Sequence, residues 1–325
     1  MKVVRFCLII LLNLRGEIKI FFETSSDIFR NIILKFPIIQ HLYLKVESST
    51  YERYLYNNIE ELIKSKIIRN QKIYNSIINS LRKYDKNYSF KDKKILEIGP
   101  GKSLLLAIIF ILKGAKKVYL VDKYKKIFDN SINLMLYNLF IKYYITHHNS
   151  HNFTDFDSIK KKIIYFSKNA IENFNILRKE TIDFIFSNAV LEHVYNLKLT
   201  IEKINLLLKK GGITYHQVDL RDHLHIRDKC YLDFLKYPEK YWRFIGDTNR
   251  IRYSQYLKIF KKFNFDLLEI NSRKLKSKGI SIIKKDFNKE FQKLSDEDLS
   301  IISFNILAKK PNSWEVIAKK YYWNL

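Results

Sequence analysis

The chain has 325 residues, of which 47% are hydrophobic, 8 are glycine and 4 are proline. That supports a sizeable core and excludes a collagen-like, loop-dominated or wholly disordered chain. Lys and Arg number 59 against 33 Asp and Glu, a formal charge of +26, but they run through the whole sequence among Ile, Asn, Tyr and Phe. This pattern points to compositional bias and solvated faces ahead of a nucleic-acid surface, which stays as the less favoured reading.

The start, Val3 to Leu12, is apolar but interrupted by Arg5. It falls short of the ~18–20 residues of a membrane span and lacks a small-residue cleavage site. A buried or peripheral element is expected there, which leaves contact with a membrane surface open. Pro37 breaks whatever precedes it. Leu55, Ile59, Leu62, Ile63, Ile67, Ile73, Ile77 and Leu81 recur at helical spacing. Residues 1–90 therefore read as a helical N-terminal extension, and 85–92 as a polar connector to a second domain, 91–325. Cys7 and Cys230 are the only cysteines. They exclude a disulfide scaffold and are compatible with a reducing, cytoplasmic setting.

From Lys91 the pattern alternates. Strands are predicted at Lys94–Ile98, Val118–Val121, Lys162–Phe166, Ile182–Phe186 and Ile213–Val218. Helices are predicted at Leu104–Leu112, with Gly114 as its cap, at Ile127–Ile141, and at Ile201–Leu208, ended by Gly211-Gly212. Alternation of this kind predicts a parallel sheet covered on both faces. Residues 221–252 are rich in charge and aromatics and read as an insertion, either a lid over a pocket or a packing subdomain. A helix, Tyr253–Phe263, and two strands, Phe265–Ile270 and Ile301–Ala308, close the chain.

The turn after the first strand, Glu97-Ile98-Gly99-Pro100-Gly101-Lys102-Ser103, is the most informative segment. Glycines there let the backbone approach a nucleotide-like ligand. Dinucleotide enzymes and S-adenosylmethionine (SAM) enzymes both use such a turn. The dinucleotide pattern needs Gly or Ala at 104, where this chain has Leu104. SAM carries no pyrophosphate and needs acceptors for an ammonium and for ribose hydroxyls. Asp122 ends the second strand, 23 residues after Gly99, close to the ~20 expected of a ribose-binding acid. Taken alone, it also fits a strand-terminal helix cap.

These residues resemble class I SAM-dependent methyltransferases over about Lys91 to Lys309. Glu97 to Gly101 is similar to the family's first motif, with Ser103 in place of a third glycine, and Val121-Asp122 is similar to the second. Asp183 to Val194 resembles the fourth strand and the loop facing the methyl donor, which includes Asn188. Leu208-Lys209-Lys210-Gly211-Gly212 resembles the turn before the fifth strand. The resemblance implies a Rossmann-like, doubly wound α/β sheet of seven strands and S-adenosyl-L-methionine as cofactor. It implies cofactor contacts at Glu97, Gly99, Gly101, Asp122 and Asn188. The usual third-strand acid is missing, and Asn169 is the candidate for the adenine. The string from His216 to His223, with Asn249 to Arg252, resembles bacterial methyltransferases associated with surface-polysaccharide gene sets.

Methyl transfer from a sulfonium needs the acceptor held in line and dry, with a base where the acceptor is a hydroxyl. Candidates lie at the carboxyl ends of strands four and five. His193, Asp219 and His223 are the catalytic candidates, though a helix-start histidine and a salt-bridged loop are the competing readings. Asp222, Arg250 and Arg252 are the candidates for binding the acceptor. His216 fits a hydrogen-bonded core histidine. His216, Asp219, His223 and His225 are metal-ligating types, but a strand-to-loop transition does not supply helical ligand spacing, so no metal is expected. His147, His148 and His151 read as surface residues. The motif that positions exocyclic base amines is absent, with Ser187-Asn188-Ala189-Val190 in its place, and neither cysteine suits pyrimidine chemistry. A small-molecule or glycan acceptor is expected over nucleic acid. The rivals are an RNA-binding methyltransferase, a catalytically inactive scaffold, and a nicotinamide enzyme opposed by Leu104 and Glu97.

Overall fold

The structure is a computed structural model that describes residues 59–148, 155–224, 231–275 and 280–312. The predicted N-terminal element, Pro37, Cys7, His151, His225 and Cys230 lie outside the described residues, as do the side chains of His147 and His148.

Seven strands form one sheet: β1 (Lys94–Ile98), β2 (Lys117–Asp122), β3 (Ile163–Ser167), β4 (Ile182–Asn188), β5 (Leu208–Asp219), β6 (Asp266–Lys274) and β7 (Ile301–Lys309). Their order is β3-β2-β1-β4-β5-β7-β6. The first five are parallel, and β7 runs antiparallel to both β5 and β6. The predicted doubly wound α/β sheet with an antiparallel closing pair is therefore present. Strand alternation builds two cores. Ile95, Val118, Leu120, Phe184, Phe186 and Tyr215 face one side; Leu96, Ile98, Val121, Ile185 and Val218 face the other.

The first side is covered by α1 (Ile59–Tyr84), α2 (Leu105–Leu112) and α3 (Ser131–His148). All eight residues of α2 are buried, as expected of a helix apolar all round. Gly114, at φ +91°, follows its end, and its N–H donates to the Ile111 carbonyl at 2.9 Å. Ile77, Ile78 and Leu81 of α1 enter the same core, so the described part of the predicted extension packs on the domain. The second side is covered by α5 (Leu197–Leu207) and α7 (Tyr253–Lys262), which follow a short α4 (Phe156–Lys160) and α6 (Glu239–Ile245).

Several boundaries differ from expectation, and the predicted helix 127–141 is observed as α3, Ser131–His148. The predicted helix 201–208 ends at Leu207 without a glycine cap, and β5 begins at once and runs through Gly211-Gly212. Gly211, at φ +74°, takes a kink there, and the register against β4 shifts. Between β6 and β7 lie three short helices with no counterpart among the predicted elements, α8 (Ile280–Lys284), α9 (Lys289–Gln292) and α10 (Asp296–Ser300). They and the turn between α8 and α9 supply Ile280, Phe287, Phe291 and Leu299 to a third core with Leu232, Phe234, Leu235 and Trp242 of the insertion. Phe234 and Trp242 are thus packing residues. Tyr241 and Phe244 of the same insertion are exposed. Among the described residues, no helix is long and apolar enough to cross a membrane.

Candidate active site

Because β1, β2, β4 and β5 are parallel neighbours, their carboxyl ends share one edge of the sheet. Every predicted catalytic and cofactor residue lies at or beyond that edge. Gly99 and Gly101 have φ of +68° and +71°, a region L side chains avoid. A Cβ on Gly99 would meet Val190 at 2.6 Å, so the glycine turn packs directly on the loop after β4. A Cβ on Gly101 would meet nothing within 4 Å, so that glycine borders open space. The turn is pinned by the Leu104 N–H on the Tyr137 hydroxyl at 2.9 Å and by Asn133 Nδ2 on the Lys102 carbonyl at 3.2 Å.

Glu97 and Asp122 end adjacent strands, and both are buried. Burial, reinforced by the neighbouring Asp122, pushes the Glu97 carboxyl up to about 8. Burial also raises Asp122, although the Tyr124 N–H on its Oδ1 at 2.7 Å and nearby Lys126 oppose the shift. Two buried acids whose charged forms oppose each other suit a cationic ligand with hydroxyls, and SAM is one. Asn169 is tied beside them, its N–H donating to the Asp122 carbonyl at 3.0 Å. Its side-chain amide donates to the Ser167 carbonyl at 2.7 Å. Asn188 closes β4 opposite Gln217, half-buried.

The second half of the site is a cluster after β4 and β5. His193 and His223 stand with ring centres 5.0 Å apart. His193 Nδ1 lies 2.9 Å from the Asp247 carbonyl oxygen. His223 sits between two acids, with Nε2 3.9 Å from Asp219 and Nδ1 3.8 Å from Asp247. Burial pulls its pKa down, but Asp247, Asp219 and Glu192 outweigh burial, and the net direction is up. Burial would raise Asp219, but hydrogen bonds from Arg221, with Nη2 at 2.6 Å, bring it below the ordinary range.

Three members of this cluster were not singled out from sequence. Glu192 is 2% exposed, and burial pushes it up to about 8, with His223 and backbone N–H donors acting in the other direction. Asp247 faces both histidines. Asn249 holds the β4 loop: its Nδ2 donates to the Leu191 carbonyl at 2.8 Å and its N–H to the Glu192 carbonyl at 2.7 Å. The signal available in sequence was an acid beside His193 directly after a strand. Asp247 and Asn249 carried no such signal, being 54 and 56 residues from His193.

The expected acceptor-binding residues require correction. Arg252 is fully buried, and its guanidinium donates to the carbonyls of Leu220 at 2.7 Å, Ile301 at 2.7 Å and Leu299 at 3.3 Å. Burial lowers its pKa to about 10. Arg250, 3% exposed, donates to the Phe234 and Tyr237 carbonyls and pairs with Glu239 and Glu290. Asp222 is also fully buried; its Oδ1 accepts the Leu224 N–H at 2.8 Å and shapes the turn that carries His223. All three hold the scaffold. His216 is the expected core histidine, with Nδ1 2.7 Å from Ser187 Oγ and Nε2 2.6 Å from Thr214 Oγ1, and burial lowers it to about 3.

No curated protein matches the sequence. In fold the chain is similar to a SAM-dependent methyltransferase from Methanosarcina mazei, at 19% identity and TM-score 0.40, with 70% of this chain and 97% of that one covered. It is similar to an S-adenosylmethionine-dependent methyltransferase from Mesorhizobium loti, at 12% identity and TM-score 0.39, covering 68% and 93%. It is similar to phosphoethanolamine N-methyltransferase 2 of Haemonchus contortus in complex with S-adenosyl-L-methionine, at 15% identity and TM-score 0.42, covering 74% and 53%. The methyltransferase domain family matches residues 69–270, more than half of the chain and the whole of the strand edge that carries the glycine turn, the paired acids and the histidines. The chain belongs to this family and is a class I SAM-dependent methyltransferase.

Proposed function

We propose that the enzyme methylates a hydroxyl of a small-molecule or glycan acceptor by in-line displacement. The observation that carries this reading is the packing of Gly99 on Val190, two residues before Glu192. It puts the cofactor turn against the loop that bears the histidine cluster.

SAM supplies a methyl carbon on a positively charged sulfur, already activated toward displacement. When SAM binds, Glu97 would accept hydrogen bonds from its ammonium and Asp122 from its ribose hydroxyls, with Asn169 the residue to hold the adenine and Asn188 the one beside the methyl donor. Gly99 and Gly101 keep the approach to the backbone clear. The Asp247 carbonyl holds the proton of His193 on Nδ1, so Nε2 carries the lone pair and can take the acceptor's proton. Asp219 and Asp247 orient His223 and favour its protonated form.

The test is calorimetric titration with SAM, with NADH as control. SAM alone is expected to bind. Asp122→Ala is expected to weaken it by about tenfold or more, the scale of one or two lost charge-assisted hydrogen bonds. Unchanged affinity in a folded Asp122→Ala protein sinks the cofactor assignment.

A further inference from the structure

The histidine cluster contains more ligating chemistry than proton transfer requires. Glu192, His193 and His223 each offer a ligand atom, all within 4.8 Å of one another. They come from the ends of β4 and β5, which are adjacent and parallel. Glu192 Oε1 accepts the Asp219 N–H at 3.3 Å. Among the described residues, its buried Oε2 has no hydrogen-bond partner. A carboxyl oxygen left unpaired in a residue 2% exposed is costly unless something completes it.

The imidazoles are oriented for the same purpose. A carbonyl oxygen only accepts, so the 2.9 Å contact to Asp247 puts the proton of His193 on Nδ1. The Asp247 carboxylate stands 3.8 Å from Nδ1 of His193 and 3.8 Å from Nδ1 of His223. An acid or carbonyl behind the far nitrogen is what fixes the tautomer and raises the basicity of metal-bound histidines. Asp219, held by Arg221, lies 3.9 Å from His223 Nε2 and adds a further carboxylate at the edge of the set.

We infer that Glu192, His193 and His223 form a binding site for a divalent transition-metal or zinc cation. Two imidazoles and one carboxylate suit Zn2+, Fe2+, Mn2+ or Co2+ and leave coordination positions for an acceptor oxygen. The role of the cation in transfer rests on the acceptor reading above. With the cation bound, the His193 and His223 imidazoles would be neutral and their ligand nitrogens engaged, so the proton of the acceptor oxygen held by the cation would pass to the Asp219 carboxylate in place of His193. The oxygen lone pair forms the bond to the methyl carbon. The carbon–sulfur bond breaks, and its electron pair stays on sulfur.

The test uses the full chain, stripped with EDTA, dialysed, and titrated with Co2+ while visible absorption is followed. Uptake of one ion per chain, with the spectrum of a nitrogen–oxygen site, is expected. Glu192→Gln and the double variant His193→Ala/His223→Ala should each bind Co2+ at least about tenfold more weakly, a loss seen even for groups that only support a ligand. Calorimetry with SAM, expected to be unchanged in both variants, shows that they fold. Absence of Co2+ uptake, or variants that bind it as tightly as the parent, overturns the site. The two readings fail separately. Cation uptake without SAM binding sinks the cofactor assignment and leaves the cation site standing, whereas methyl transfer undiminished in EDTA, without Co2+ uptake, removes the cation site alone.

Discussion

Glu97 meets two opposing demands. Burial beside Asp122 favours its neutral form, with a pKa pushed to about 8, while a bound ammonium needs it charged. Binding of SAM at neutral pH is therefore expected to release a proton, and affinity should rise as pH climbs toward about 8, where the ligand's own ammonium begins to lose its proton. Calorimetry in two buffers of different ionisation enthalpy measures the release, and Glu97→Gln should abolish it. The sign for stability is opposite. A carboxyl raised from 4.5 to about 8 on folding makes the ligand-free fold lose stability as pH rises between those values. Denaturation curves of parent and Glu97→Gln across that window should diverge, the variant showing the flatter slope. These two acids were legible because each stands beside a local marker, a glycine turn or the last position of a strand. Glu192 was legible only as part of a motif string. What makes it unusual, a buried oxygen without a hydrogen-bond partner among the described residues, is set by packing among segments far apart in the chain, Asp219 bonding its other oxygen and Asn249 its carbonyl.

Arg250 and Arg252 govern how the elements are joined. Arg252 begins α7 and reaches carbonyls after β5 and at the start of β7, so one side chain ties three elements. Arg250 does the same between α6 and α9 through Glu239 and Glu290, stacked 5.0 Å from the Phe291 ring. Arg252→Ala would leave several buried carbonyls unpaired. It is expected to cost about 3–5 kcal/mol in urea unfolding, with SAM affinity unchanged in the folded protein. A large loss of SAM affinity at full stability would return Arg252 to the ligand side of the site. Both arginines were misread in sequence because arginine is seldom fully buried. Their partners come from several segments: α9 and α10 bring Glu290 to Arg250 and the Leu299 carbonyl to Arg252, while the insertion, the end of β5 and the start of β7 supply the rest. Those helices are four or five residues each, too short for a readable apolar period.

At the scale of the molecule, the chain carries a charge of +26, and among the described residues its basic side chains are exposed on several elements. Exposed basic residues occur on α1 (Arg69, Lys72), after β2 (Lys123, Lys125), at the opposite end of the sheet (Lys209, Lys210) and on α7 (Lys261, Lys262). Part of it is paired across elements, as Lys83 is with Glu269 at 2.6 Å and Lys310 with Glu180 at 3.0 Å. A nucleic-acid acceptor predicts a steep fall of binding with salt, a log–log slope of about −0.7 per phosphate on a single strand. With a small or glycan acceptor, the slope from methylation rates at rising KCl should lie near zero. A slope steeper than about −2 would move the assignment to RNA.

The amino-acid sequence by itself determined the alternation of strands and helices, the glycine turn and the acids of β1 and β2. Each rests on contacts within one element or one turn, where periodicity and residue type carry the information. It also placed His193, Asp219 and His223 after strands that parallel topology brings side by side. Tertiary structure alone decided which charged residues gather at the strand edge and which are interior struts. Burial, carbonyl acceptors and ion-pair partners for Arg250, Arg252, Asp222 and Glu192 come from segments up to about fifty residues away. The third core was settled there too, because neither the insertion nor the segment after β6 buries its apolar side chains until the two meet.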